Sequence, residues 1–185
     1  MKIPTSWKDI SISQYRALIS IPDHVTEESK IIRTVSILCG INHKQVLKLT
    51  PKEILEINNS LEFIKNLPQG TFSERIIVNN QEFAIMPDLN ALTMGELLDL
   101  EEYLANWNNS IHKIMAIFYR PIVKSDALSY TIEDYDTQRV LKAAEWFDKE
   151  VSIETAYAVS VFFSIGVAAS LKFMKTYLGQ QMTIN

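Results

Sequence analysis

Apolar positions along the chain recur mostly every three or four residues, and polar start and stop signals bracket them. That is the pattern of amphipathic helices. Thr50-Pro51-Lys52-Glu53 places a capping threonine, a proline at the first helical position and a glutamate three residues after the cap. The spacing predicts a helix to about Asn66, with Ile54, Ile57, Leu61 and Ile64 inside. Thr93-Met94-Gly95-Glu96 repeats the box and opens a helix through Leu97, Leu98, Leu100 and Leu104. Thr26 caps "EESKIIRTVSILCG", which stops at Gly40. "SISQYRALISI" is a short helix ending at Pro22, and "DTQRVLKAAEWF" is another, capped by Asp136 or Thr137. Ile111, Ile114, Met115, Ile117 and Phe118 also fall at helical spacing. Pro121 ends that helix at Arg120, so Tyr119 and Arg120 belong to its last turn, where a cation suits the helix dipole.

Period-two alternation is confined to a short stretch. "ERIIVNNQEFAIM" has two apolar runs around Asn79-Asn80, and asparagine tolerates the positive φ of a tight hairpin turn. "LSYTI" near Tyr130 is a candidate third strand. The expected fold is therefore mainly α: one compact helical domain over residues 1–185, with a β-hairpin near residues 74–86 packed on it.

"TAYAVSVFFSIGVAASL", Thr155 to Leu171, is uncharged and apolar in most directions. Ala156, Ser160, Ser164 and Ala168 form a stripe of small residues, while Phe162, Phe163 and Val167 supply bulk elsewhere. Such a helix is buried on all sides, and its small stripe admits another helix closely, in the core, in a second subunit or in a membrane. Its serines and its length, below the twenty or so apolar residues of a spanning helix, weaken the membrane reading.

Bulk properties change this picture little. The chain has 185 residues and a net charge of -4, which gives no electrostatic reason to expect nucleic-acid binding. Its one cysteine, Cys39, sits in an apolar context and reads as a small buried hydrophobe. "MKIPTSWKDI" lacks the apolar stretch of a secretory leader, which predicts synthesis in a reducing interior.

Candidate chemistry is sparse. His24, His43 and His112 have no metal-ligand spacing partner, and there is no Gly-rich phosphate loop. His112 borders an apolar face and reads as a satisfied buried histidine. Glu133-Asp134-Tyr135-Asp136 reads as favourable charge before a helix. Asp99, Glu101 and Glu102 read as a solvated face, and Lys44, Lys48 and Lys52 as exposed surface. These readings point away from an enzyme and imply no cofactor, no metal and no catalytic residue.

Four stretches together resemble a family of bacteriophage head–tail proteins: Ile3–Ile21, Phe83–Leu104, His112–Ile122 and Ala158–Leu171. They carry, in order, Trp7-x-x-Ile10, Leu92-Thr93 followed by Asp99-Leu100, Ala116-Ile117-x-Tyr119-Arg120-Pro121, and Phe162-Phe163. The stretches are similar to those of neck and tail ring proteins of crAss-like phages, and tail assembly chaperones have a similar layout. The resemblance implies a non-enzymatic virion protein of the neck or tail, assembled in the bacterial host cytoplasm. Its implied partners are copies of itself in a dodecameric ring, the portal and other tail or neck proteins. It also implies burial of Ile117, Tyr119 and Pro121 and packing of Phe162 and Phe163. A tail assembly chaperone is the alternative, and a membrane-active ejection component a weaker one. The candidate oligomer or packing contacts are Ala156, Ser160, Ser164, Ala168, Phe162, Phe163, Asn79 and Asn80.

Overall fold

The computed structural model describes residues 1–88, 91–126 and 129–161. The order is α1 (Ile12–Ile19), α2 (Glu27–Cys39), α3 (His43–Val46), α4 (Pro51–Ser60), β1 (Arg75–Val78), β2 (Gln81–Ile85), α5 (Met94–Ala105), α6 (Trp107–Phe118), β3 (Tyr119–Ser125), β4 (Tyr130–Ile132) and α7 (Thr137–Glu150). A further helix, α8, is described over residues 153–161. The fold is mainly α, as the pattern predicts, but the β-part is larger than one hairpin. It is a four-stranded antiparallel meander in the order β1-β2-β3-β4.

The helix starts follow the capping signals. Ser11, Asn42, Thr50 and Thr93 each accept the N–H of the third helical residue and receive its Glu or Gln side chain in return. Thr26 caps α2 and Asp136 caps α7. Gly40 ends α2 at φ 63°, a conformation that costs a residue with a Cβ. Gln14 closes its own capping box and also donates to the carbonyls of Ile37 and Leu38, at 3.0 and 3.2 Å, satisfying the end of α2. The helix expected to reach Asn66 leaves α geometry at Ser60 and tightens into a 3-10 turn, Leu61–Lys65. Asn58, Asn59 and Ser60 are weak helix formers, and the turn still brings Leu61 into the core.

The largest departure lies after α6. Tyr119 and Arg120 are not a last helical turn: α6 stops at Phe118 and the chain becomes strand β3 with no intervening loop. Pro121 bars helix at Arg120, and β2 supplies a ladder for the extended chain. Phe83 faces Pro121, Ala84 faces Arg120 and Ile85 faces Tyr119. The Met86 N–H donates to the Phe118 carbonyl at 2.8 Å. Alternation of bonded and non-bonded pairs then makes Phe83/Pro121 a non-bonded pair, so the missing proline N–H costs β2 nothing. On the other side the Pro121 carbonyl accepts the Glu133 N–H at 2.9 Å, and β3 carries an irregularity between Ile122 and Lys124. A proline within the run conceals the strand from period-two reading.

The core is built round α6. Ser110, Ile111, His112 and every residue from Ile114 to Phe118 are buried, so this helix is enclosed on nearly all sides over that stretch. α5, α7, α1 and β3 cover it. One face of the sheet lies on the same core, where Phe83 meets Phe147 edge to face at 5.0 Å. The segment before α1 and the α7–α8 junction close the far side. Ile12 N–H donates to the Val151 carbonyl at 3.0 Å and Ile153 N–H to the Ile10 carbonyl at 2.8 Å.

Gly70 lies against the start of α8. A Cβ there would sit 2.5 Å from the Glu154 carbonyl oxygen, which is backbone and cannot turn aside. Gly70→Ala is expected to cost about 1–3 kcal/mol through overpacking, read as a lower urea midpoint at unchanged m-value.

Candidate functional site

The hairpin turn forms as the sequence implies. Asn79 and Asn80 have φ of 49° and 57°, the two positive values of a primed turn. The Asn79 N–H donates to a Glu150 carboxylate oxygen at 2.8 Å, tying the turn to the end of α7. The small-residue helix begins earlier than expected: the Ser152 hydroxyl accepts the Thr155 N–H at 3.2 Å, and helix runs from 153. Ala156 is buried within the chain's own core, and the partly exposed Ser160 turns its hydroxyl back to the Ala156 carbonyl at 2.7 Å. The remaining stripe and bulk positions, Phe162, Phe163, Ser164 and Ala168, lie outside the described residues. Structure thus brings the hairpin turn and the origin of the late helix to one junction, through Glu150 and Ser152.

The residues implied to be buried by resemblance divide. Ile117 and Tyr119 are fully buried, but Pro121 keeps part of its ring exposed at the rim of a cavity of about 230 Å³ against α7. Tyr119 donates its hydroxyl to the Ser73 carbonyl, and burial raises its pKa.

A pair of residues assigned to separate helix ends turns out to be one buried unit. Glu96 is 1% exposed and Arg120 8%. Glu96 Oε2 accepts both the N–H and the hydroxyl of Thr93, at 2.6 Å each, and closes the α5 capping box. Its Oε1 lies 3.1 Å from Arg120 Nη1 on β3. The contact is an ion pair by distance; neither Oε1 nor Arg120 Nε has an aligned hydrogen bond among the described residues. A cavity of about 410 Å³ flanks it, walled by Met86, Thr93, Ile132 and Tyr135. Tyr135 donates to Asp99, so Asp99 is a half-buried acceptor and not part of a solvated face; Glu101 and Glu102 are exposed as expected. The capping box was visible in sequence; its pairing to Arg120 needs β3 beside α5, which no local signal records.

His112 is buried, as its apolar neighbours suggested, but not satisfied. Its Nδ1 has no hydrogen-bond partner among the described residues. The nearest carboxylate, Asp148, is 3.9 Å away and is held by Arg16 at 2.9 Å. Burial pushes the imidazole pKa down to about 4, with Asp148 opposing the shift and Arg16 and Lys113 assisting it.

The other candidates resolve into structure. Cys39 is buried, which raises its thiol pKa. Asp136 accepts the Arg139 N–H at 2.9 Å, and Glu133 pairs with the Arg139 guanidinium at 3.1 Å, so the acidic run serves the start of α7. Lys44, Lys48 and Lys52 are exposed. Among the described residues no group of three or more His, Cys, Asp or Glu side chains is placed to hold a metal ion. None of the described helices is long and apolar enough to cross a membrane.

Among the described residues no further strand pairs with the outer edges of β1 and β4. On β1, Ile77 is 77% exposed, an unusual setting for an isoleucine. Comparison of the chain with protein-family models, curated proteins and solved structures returned no match.

Two outcomes test these electrostatics. Arg120→Met leaves Glu96 buried beside no cation and is expected to cost about 3–5 kcal/mol in urea unfolding. Adding Glu96→Gln is expected to recover part of that loss, and an additive double variant would refute the coupling. For His112, the unfolded chain binds a proton near pH 6.5 and the folded one only near pH 4. The unfolded state therefore takes up more protons between those values. Its contribution to stability is intact above pH 6.5 and lost progressively as pH falls towards 4. His112→Gln is expected to show a smaller drop in urea midpoint between pH 7 and pH 5 than the wild type.

Proposed function

We propose that this chain is a non-enzymatic bacteriophage structural protein, a ring subunit of the neck or tail assembly that joins portal and tail. It acts as a closed homo-oligomer, most simply a dodecamer matching a portal, and contacts neighbouring tail or neck proteins. The observation that carries this reading is the ordered set of motifs from Trp7 to Phe163 that resembles such proteins. The sheet is compatible with it. A ring needs head-to-tail contacts, in which each subunit offers two different surfaces, and β1 and β4 are two different edges of one sheet.

The second reading, a tail assembly chaperone, draws on the same resemblance, and an exposed sheet edge suits a holder of partner segments as well as a ring. Purified particles of the phage that encodes the chain separate the two. Quantitative mass spectrometry is expected to find it at a fixed ratio to the portal, and cryo-EM to place it in a ring. Absence from the particle overturns the ring and favours the chaperone.

A further inference from the structure

We infer that copies of this chain join by continuing the sheet, β1 of one copy adding to β4 of the next, in the register that sets Ile77 opposite Ile132 and Arg75 opposite Asp134. This rests on the ring reading and gives it a specific interface.

The hydrogen-bond pattern fixes which residues face outward. The hairpin turn at Asn79-Asn80 makes Val78/Gln81 the closing bonded pair, and the Ile85 N–H donates to the Glu74 carbonyl at 2.9 Å. Alternation leaves Arg75 and Ile77 turned away from β2. On either side of β4, the Glu133 N–H goes inward to Pro121, and the Asp126 N–H donates to the Ser129 carbonyl at 3.0 Å. Tyr130, Ile132 and Asp134 therefore face outward.

The two edges are compatible in polarity. Strands alternate in a meander, so β1 of a following copy runs antiparallel to β4 and the ladder continues without a break in pattern. Charge selects the register. Setting Ile77 against Tyr130 would place Glu74 of one copy opposite Glu133 of the other, which is destabilising. A shift of two residues sets Ile77 against Ile132 and Arg75 against the exposed Asp134, an apolar pair and an opposite-charge pair. Within its own chain Arg75 pairs with Glu82 at 3.3 Å, donates to the Ser125 hydroxyl at 3.3 Å and lies 5.0 Å from the Tyr130 ring centroid; these contacts are half exposed, and the Asp134 pair forms by turning the guanidinium from them to the outer edge. Self-pairing of β1 with β1 of a second copy can set Ile77 opposite Ile77 or opposite Arg75, but neither register offers Arg75 an opposed carboxylate.

The edge is short, so each contact is weak, and a ring in which every subunit is held on both sides is the assembly that tolerates it. Proline at 77 removes only an outward N–H, which edge strands accept.

The test uses the full chain with Cys39→Ala. Ile77→Cys with Ile132→Cys, oxidised at high protein concentration, is expected to give a ladder of covalent oligomers on non-reducing gels, and either cysteine alone only monomer. A bonded antiparallel pair has a Cα separation of about 5.5 Å, within disulfide range. Dimers from Ile77→Cys alone, or no cross-link from the pair, overturn the inference. In the otherwise wild-type chain, Ile77→Pro is expected to keep the circular dichroism spectrum and abolish oligomers in mass photometry. Oligomers that survive it overturn the inference. Should Ile77→Pro fail to fold, Asp134→Lys, an exposed change, is expected to move assembly to higher concentration, and unchanged assembly overturns it. A ladder from a protein absent from virions leaves this interface standing and removes the ring from the particle. Presence in virions without a ladder removes the interface alone.

Discussion

The buried pair of Glu96 and Arg120 is the contact on which the β-part of this fold turns. Helix α6 is buried on almost every side from Ser110 onward and passes without a loop into β3, so the second residue of the strand is carried into the interior with it. That residue is an arginine. An unpaired guanidinium there would cost several kcal/mol in desolvation. Glu96 answers it from the first turn of α5, with its other oxygen already committed to Thr93. One carboxylate therefore fixes where α5 starts and where β3 lies, and couples a local capping motif to a contact between elements far apart in sequence.

This arrangement explains why the sheet has the form it does. Phe83 and Tyr119 fill the face towards α6 and α7, and the opposite face holds Ala84 and Arg120 beneath α5. Ala84, opposite Arg120 in the ladder, is small and fully buried. Cover by α5 extends towards the β4 side, where Glu96 shares a cavity wall with Ile132 and Asp99 accepts from Tyr135. The outer strands are left with Ile77 exposed on one edge and an acidic turn after the other. An edge of this kind invites pairing unless something blunts it. The proposed ring contact uses both edges at once.

His112 shows a second tension of the same sort. It sits where α1, α6 and α7 meet, near an aspartate that an arginine already holds. The imidazole stays neutral because burial outweighs the attraction of Asp148. The polar groups of this core are arranged round pairings that leave some atoms short, which is a specific geometry and not a generic apolar filling.

Local sequence determined what short-range physics controls. The capping boxes at Thr50 and Thr93, the stop at Gly40 and the Asn79-Asn80 turn each depend on residues within a few positions, and each formed where the sequence placed it. Cys39, surrounded by apolar neighbours, was legible as core for the same reason. Tertiary structure alone decided the rest. Whether Tyr119 to Ser125 is helix end or strand depended on β2, more than thirty residues earlier, offering a ladder that Pro121 could join. That Glu96 is an ion-pair partner as well as a cap depended on β3 lying against α5. Asp99 became an acceptor only when Tyr135 was brought to it. A side chain's chemistry is written in its own residue, but its partner is set by where the whole chain folds, and period and spacing do not carry that information.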